Sequence, residues 1–238
     1  MIELIINADD FGYSEAVNYG IIRSHTHGVL NSATVMMNMP GAEHALELSK
    51  KHPTLGLGVH LVLTCGRPIL SGLNTITQPN GYFYKSPTLL FNEDIDTDEV
   101  KREWTVQIER FLSLGGRLTH LDSHHHVHGH PILQSVIAEL ANSYNVPVRI
   151  GRQGSIPGTT PFSTTFAGDF YGDGVSEQTL TNIISNAKYG DVVEIMTHPG
   201  YLDSVVLQGS SYHTPRTREV DVLTSWELPS HVTLKTWN

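Results

Sequence analysis

Apolar runs that end in residues able to bind a metal or carry a proton recur along this chain, and they constrain its fold more than any other feature. Residues 2–6 are apolar but for Glu3 and lead into Asn7-Ala8-Asp9-Asp10. Residues 55–63 read LGLGVHLVL and hold His60, residues 117–122 lead through Asp122 to His124, and residues 192–196 run into Thr197-His198-Pro199-Gly200. An apolar run such as 2–6 marks a strand buried on both faces, and 117–122 is read as a further strand that feeds a histidine cluster. Residues 32–37, ending at Asn38, and 146–150, which contain Arg149, add two more strands, and 231–237 alternates like a seventh. Helical patterns fill the intervals. One is expected from the Ser14 cap to about residue 27, stopping at Gly28, and others at 42–51, 97–115, 131–143, 177–188 (capped by Ser176) and 216–225. In the 97–115 helix, Val100, Trp104, Ile108, Phe111 and Leu112 form the apolar stripe. Strand alternating with helix implies parallel strands joined by helical crossovers. A doubly wound open sheet collects ligands only near its switch point, whereas a (β/α) barrel brings the C-terminal ends of all its strands to one face. The expectation is therefore a single (β/α) barrel over residues 1–238, incomplete or distorted, with about seven strands. Two irregular segments, 64–92 and 151–174, are long for loops and are expected to carry function.

Composition excludes several classes of partner. The 238 residues hold 24 Asp and Glu against 15 Lys and Arg, a net charge of −9, which argues against nucleic-acid binding. No window approaches twenty apolar residues, so no membrane span is expected. The opening MIELIINADD has neither a basic leader nor a cleavage site, and the lone Cys65 rules out an internal disulfide. Together these point to a cytoplasmic enzyme.

Residues 119–130 read THLDSHHHVHGH, and six of the twelve are histidine. Adjacent histidines suit a core badly, because each ring carries two nitrogens in need of partners, but they suit metal binding and proton transfer. A carboxylate and two histidines from separate strands make a divalent metal site with room for water, and Asp10, His60 and His124 are the candidates. Taken alone, Asp10 also reads as an acid at a helix N-terminus and His60 as a buried structural histidine; their coincidence favours the metal. His128, four residues beyond His124, and Asp122 are secondary candidates for ligand or substrate contact, although Gly129 and Pro131 argue against a regular helix there. His125 is expected to point away from His124. Asp9 and Asp10 should likewise diverge, so that one binds the ion and the other handles a proton, an arrangement suited to metal-assisted hydrolysis. His198 either protonates the leaving group or caps the chain beside Pro199.

These pieces together resemble the YdjC-like carbohydrate deacetylases, in particular the chitooligosaccharide deacetylase branch. The matching stretches, in order, are NADDFG at 7–12, GVHLVLT at 58–64, THLDSHHHVH at 119–128, VRIGRQ at 148–153, EIMTHPG at 194–200 and PRTREVDVLTS at 215–225. The resemblance implies a barrel related to the polysaccharide deacetylases, a homodimer, and a divalent ion, magnesium with zinc as the alternative. It also implies hydrolysis of an N-acetyl group from a short glucosamine oligomer such as diacetylchitobiose, free or phosphorylated. It places the metal on Asp10, His60 and His124, makes Asp9 the base and, by analogy with the wider fold, His198 the acid. Arg149 and Arg152 would then either grip a sugar phosphate or pair with the site's acids. Tyr82, Phe83, Tyr84, Phe166, Phe170 and Tyr171 would either stack on sugar rings or pack the loops onto the barrel rim. Two other readings use the same residues: an iron oxygenase with a two-histidine, one-carboxylate centre, and a non-catalytic protein that binds sugar or metal.

Overall fold

The computed structural model describes residues 1–151 and 154–237. Strand β1 (Ile2–Phe11) leads to helix α1 (Glu15–Thr26), β2 (Ser32–Val35), α2 (Ala42–Ser49) and β3 (Gly56–Leu61). The one-turn helix α3 (Pro87–Leu90) interrupts the 64–92 segment ahead of α4 (Thr97–Ser113), β4 (Leu118–Ser123) and α5 (Gln134–Tyr144). Then follow β5 (Thr165–Ala167), α6 (Glu177–Asn186), β6 (Val192–Thr197), α7 (Ser204–Gly209), α8 (Thr214–Ser225) and β7 (Val232–Leu234). Helix starts follow the local chemistry: the side chains of Ser14, Asp96, Ser176 and Asp203 accept hydrogen bonds from first-turn amides of α1, α4, α6 and α7. No helix among the described residues is long and apolar enough to cross a membrane.

The strand pairings are all parallel, in the order β4-β3-β2-β1-β6-β5, with β7 beside the first residues of β1. Past β4 the sheet curls on through single pairings, Val148 with Leu121 and Pro161 with Val148. The result is a curled half-barrel with helices outside it, as the alternation of elements implies. The strand expected at 146–150 is only this bridge. Pro147 has no N–H to donate, so the ladder with β4 cannot extend back before Val148. The short β5 and α7 carry too few residues to show a period in the sequence.

The apolar stripe of α4 packs as expected, with Val100, Trp104, Ile108 and Phe111 fully buried and Leu112 half-buried. A second, polar row on that helix, Glu99, Glu103 and Gln107, is buried as well. Glu103 accepts from the amides of Ile69 and Leu70, both at 2.9 Å, and Glu99 accepts from the amides of Asn74 and Thr75, each at 2.8 Å. Gln107 accepts from the Val62 amide at 2.8 Å. The first half of the 64–92 segment is thus fastened to α4 by side chains that satisfy its buried backbone, which a loop has no ladder to do. That segment forms one wall of the site.

Candidate metal centre and active site

The C-terminal ends of β1, β3, β4 and β6 open into a cavity of about 1460 Å³ lined by Asp9, Asp10, His60, His124, His198 and Arg216, among others. Strand β1 leaves its regular register against β2 between Ala8 and Phe11, and Asp10 takes a left-handed backbone, φ 66°. This turns the two neighbouring carboxylates apart. Asp10 Oδ1 lies 3.5 Å from His60 Nε2 and 3.2 Å from His124 Nδ1. That oxygen is buried and has no hydrogen-bond partner among the described residues. The ligand atoms of Asp10, His60 and His124 all fall within 4.8 Å of one another. His60 is oriented by Asp122, whose Oδ1 accepts from Nδ1–H at 2.8 Å and so turns Nε2 towards Asp10. The other oxygen of Asp10 accepts from Arg216 Nη2 at 2.6 Å. An unpaired carboxylate oxygen facing two imidazole nitrogens fits a divalent cation.

Asp9 faces the other way, into a buried ion cluster. Arg149 grips both its oxygens, at 2.6 and 2.7 Å, and also reaches Asp122 at 2.8 Å and Glu194 at 2.7 Å. Asp9, His60 and Asp122 also converge within metal-binding range. There, however, the guanidinium already stands between the two carboxylates, whereas Asp10 keeps one oxygen free. His198 Nε2 lies 3.9 Å from Asp9 Oδ2 across the cavity floor. The His198 amide donates to Glu219, which also accepts from the Tyr212 hydroxyl.

Charge follows this geometry. Burial works to raise the pKa values of Asp9, Asp10 and Asp122. The guanidinium charges, Arg149 beside Asp9 and Asp122 and Arg216 beside Asp10, outweigh it and keep all three ionised. Burial pushes the His60 pKa down, but Asp122 and Asp9 carry it up to about 9, so the centre is built to hold positive charge. His198 is held neutral by burial, with its pKa lowered to about 4. Burial raises Glu194 to about 7 and Glu219 to about 8.

Several expected roles change. The ring nitrogens of His128 are both taken, by Ser123 Oγ and by the Arg149 carbonyl at 3.2 Å, and the side chain is fully buried. Neither ring nitrogen is left free for an ion or a sugar. Both oxygens of Asp122 are engaged, by His60 and by Arg149 with Thr34, and Asp122 orients His60. Of the two readings of Arg149, the ion pair holds: the residue is 0% exposed and cannot reach a sugar phosphate. Arg152 lies outside the described residues. Phe170 is a buried packing residue, Phe83 is buried but reaches the cavity wall, and Tyr82 and Tyr171 are exposed and line the cavity.

His125 does not diverge from His124. It and His126 have φ of 55°, and the two leading rings lie 4.0 Å apart between centroids. All three histidines line the cavity. Left-handed backbone costs an L-residue on the order of 1–2 kcal/mol. Among the described residues only four non-glycines have positive φ. Three of them, Asp10, His125 and His126, are at this site; the fourth, Asn145, caps α5.

A family model described as YdjC-like protein matches residues 3–233. The chain belongs to the YdjC-like family. A relative from Brevibacillus brevis named carbohydrate deacetylase is 45% identical over 239 residues, covering 97% of this chain and 94% of its own. A solved structure from Enterococcus faecalis, described as a cellobiose-phosphate cleavage protein, is 36% identical with a TM-score of 0.87, covering 94% of this chain and 90% of its own. A peptidoglycan N-acetylglucosamine deacetylase at 18% identity and TM-score 0.50, over 93% of this chain and 78% of its own, shares the curled barrel fold alone.

The sequence reading missed Glu194, Arg216 and Glu219 in this YdjC-like chain. Glu194 left a signal, an acid inside the otherwise apolar run VVEIM, where an unpaired charge is costly to bury. Arg216 and Glu219 lie on α8, away from any strand end, and their one signal is the matching stretch PRTREVDVLTS.

Proposed function

We propose that this chain is a metal-dependent carbohydrate deacetylase that removes an N-acetyl group from short chitooligosaccharides such as diacetylchitobiose, free or phosphorylated, with release of acetate. The observation that carries the reading is the unpartnered Asp10 Oδ1 facing His60 and His124 in an open cavity, beside an ionised carboxylate, Asp9, that does not share the ion. A divalent ion held by Asp10, His60 and His124, magnesium or zinc, would polarise the amide carbonyl and acidify a water. Asp9, kept ionised and fixed by Arg149, accepts the proton of the attacking water. His198, neutral at rest and 3.9 Å from Asp9, is placed to receive a proton during turnover and deliver it to the departing nitrogen. Arg216 fixes the second oxygen of Asp10, so that Oδ1 alone faces the histidines. The name of the Brevibacillus brevis relative supports hydrolysis over an iron oxygenase built on the same three ligands. We also propose one catalytic domain over residues 1–238 and a homodimer, which light scattering of the purified protein tests.

The deciding experiment incubates the protein with diacetylchitobiose and its phosphorylated form, with and without chelator, and follows acetate and product mass. Acetate should appear only with metal, leaving the glycosidic bond intact. Asp9→Asn should retain metal and fold but lose about 10²- to 10⁴-fold in turnover, since an amide cannot take the water proton. Monosaccharide products, or no acetate from a metal-loaded protein, would remove the assignment.

A further inference from the structure

We infer that His125 and His126 are substrate-binding residues whose imidazoles hydrogen-bond the hydroxyl and acetamide groups of a sugar lying over the metal centre. The inference rests on the carbohydrate reading above, and it is drawn from backbone geometry. A chain that needed only to turn after β4 would place glycine or asparagine in left-handed backbone, as Asn145 does at the end of α5. Here two successive residues adopt it with full imidazole side chains, directly after the metal-facing His124. Histidine tolerates the region better than most residues, yet glycine would hold the same turn at less cost. Strain of this kind persists where the surrounding structure and the site require it.

The double left-handed turn brings three consecutive rings to one cavity, where an extended strand would send neighbouring side chains to opposite faces. His125 is exposed, and its Nδ1 is tied to Thr64 Oγ1 at 3.0 Å, so Nε2 is the atom left for a ligand. Thr64 begins the long segment that walls the cavity, and the pair joins that wall to the histidine turn. His126 is half-buried and set edge-on against Phe166, with ring centroids 5.6 Å apart. Among the described residues its ring nitrogens have no hydrogen-bond partner. Neither residue belongs to a convergent set of metal-ligand atoms among the described residues. Imidazoles that both donate and accept suit the hydroxyls and amide of an N-acetylated sugar.

The test measures binding of diacetylchitobiose to metal-loaded Asp9→Asn protein by calorimetry, alone and combined with His125→Ala or His126→Ala. Each alanine should weaken binding about threefold to tenfold, the worth of one hydrogen bond, with metal content unchanged. The glycine variants at the same positions should bind as weakly as the alanine variants yet melt a few degrees higher, because glycine releases the strain. Unchanged affinity in both alanine variants would overturn the inference, as would loss of metal from either. If the unsubstituted enzyme binds the disaccharide but releases no acetate, the deacetylase reading fails while the binding role stands.

Discussion

Arg149→Met removes the one cation that three buried carboxylates share, and keeps most of the volume of the aliphatic stem. In the native protein its guanidinium makes contacts of 2.6–2.8 Å with Asp9, Asp122 and Glu194. Removing one partner from a buried ion cluster costs about 3–5 kcal/mol, because the remaining charges are left uncompensated. For a chain of this size 1 kcal/mol moves Tm by about 2–4 °C, so Tm at neutral pH should fall by about 6–20 °C. The pH dependence gives a sharper check. Burial opposes ionisation of Asp9 and Asp122, but Arg149 lowers both below their ordinary values. Native stability from this pair is therefore present above about pH 4 and lost as pH falls. Without Arg149 the contacts with His60 still oppose burial, but the folded-state values rise, so less stability is lost between neutral pH and acid. The gap in Tm between the two proteins should then narrow from pH 7.5 to pH 4.5. Circular dichroism melts of both proteins, in chelator to keep metal from masking the difference, measure it. A gap under about 1 °C at pH 7.5, or one that widens in acid, would refute the claim that Arg149 neutralises these carboxylates.

His60→Ala and His124→Ala should each lower metal content well below one ion per chain, measured by elemental analysis after dialysis, whereas His128→Ala should leave it unchanged and lower Tm. Stoichiometric metal in a protein lacking both His60 and His124 would sink the ligand set. Glu219→Gln should flatten the alkaline side of the stability profile. Burial raises the Glu219 pKa to about 8, so its contribution is full below about pH 4.5 and is lost as pH rises through 8. The variant should lose less Tm than the native protein between pH 5 and pH 9, and equal slopes would contradict the raised value.

β1, β3 and β6 were legible because each is a largely apolar, buried run that meets at its C-terminal end a residue that cannot be core, whereas β4, reading LTHLDS, was legible by its place before the histidine cluster. Asp10, His60 and His124 could be grouped on that rule, and the structure brings them together. The rule fails where backbone departs from regular geometry. His125 was expected to diverge because neighbours on an extended strand do so; the left-handed turn reverses that, and no local propensity announces two left-handed histidines in succession. The 146–150 run has the composition of a strand, but Pro147 within it has no N–H to donate and only a bridge forms at Val148.

Arg216 and Glu219 show a different limit. Four acids, Asp9, Asp10, Asp122 and Glu194, meet in the buried end of the barrel, and such a cluster needs compensating cations. A count of strand-end acids signals that need but cannot say which of the chain's 15 lysines and arginines meet it. Arg149, beside a strand-like run, could be guessed. Arg216 reaches Asp10 from α8, more than 200 residues along the chain, and its selection depends on how that helix packs against α1 and not on any pattern within PRTREV. The same helix turns Glu219 onto the amide of His198. One helix thus braces Asp10 on β1 and the cavity histidine after β6, so the geometry of the centre depends on an element far from the strand ends that form it.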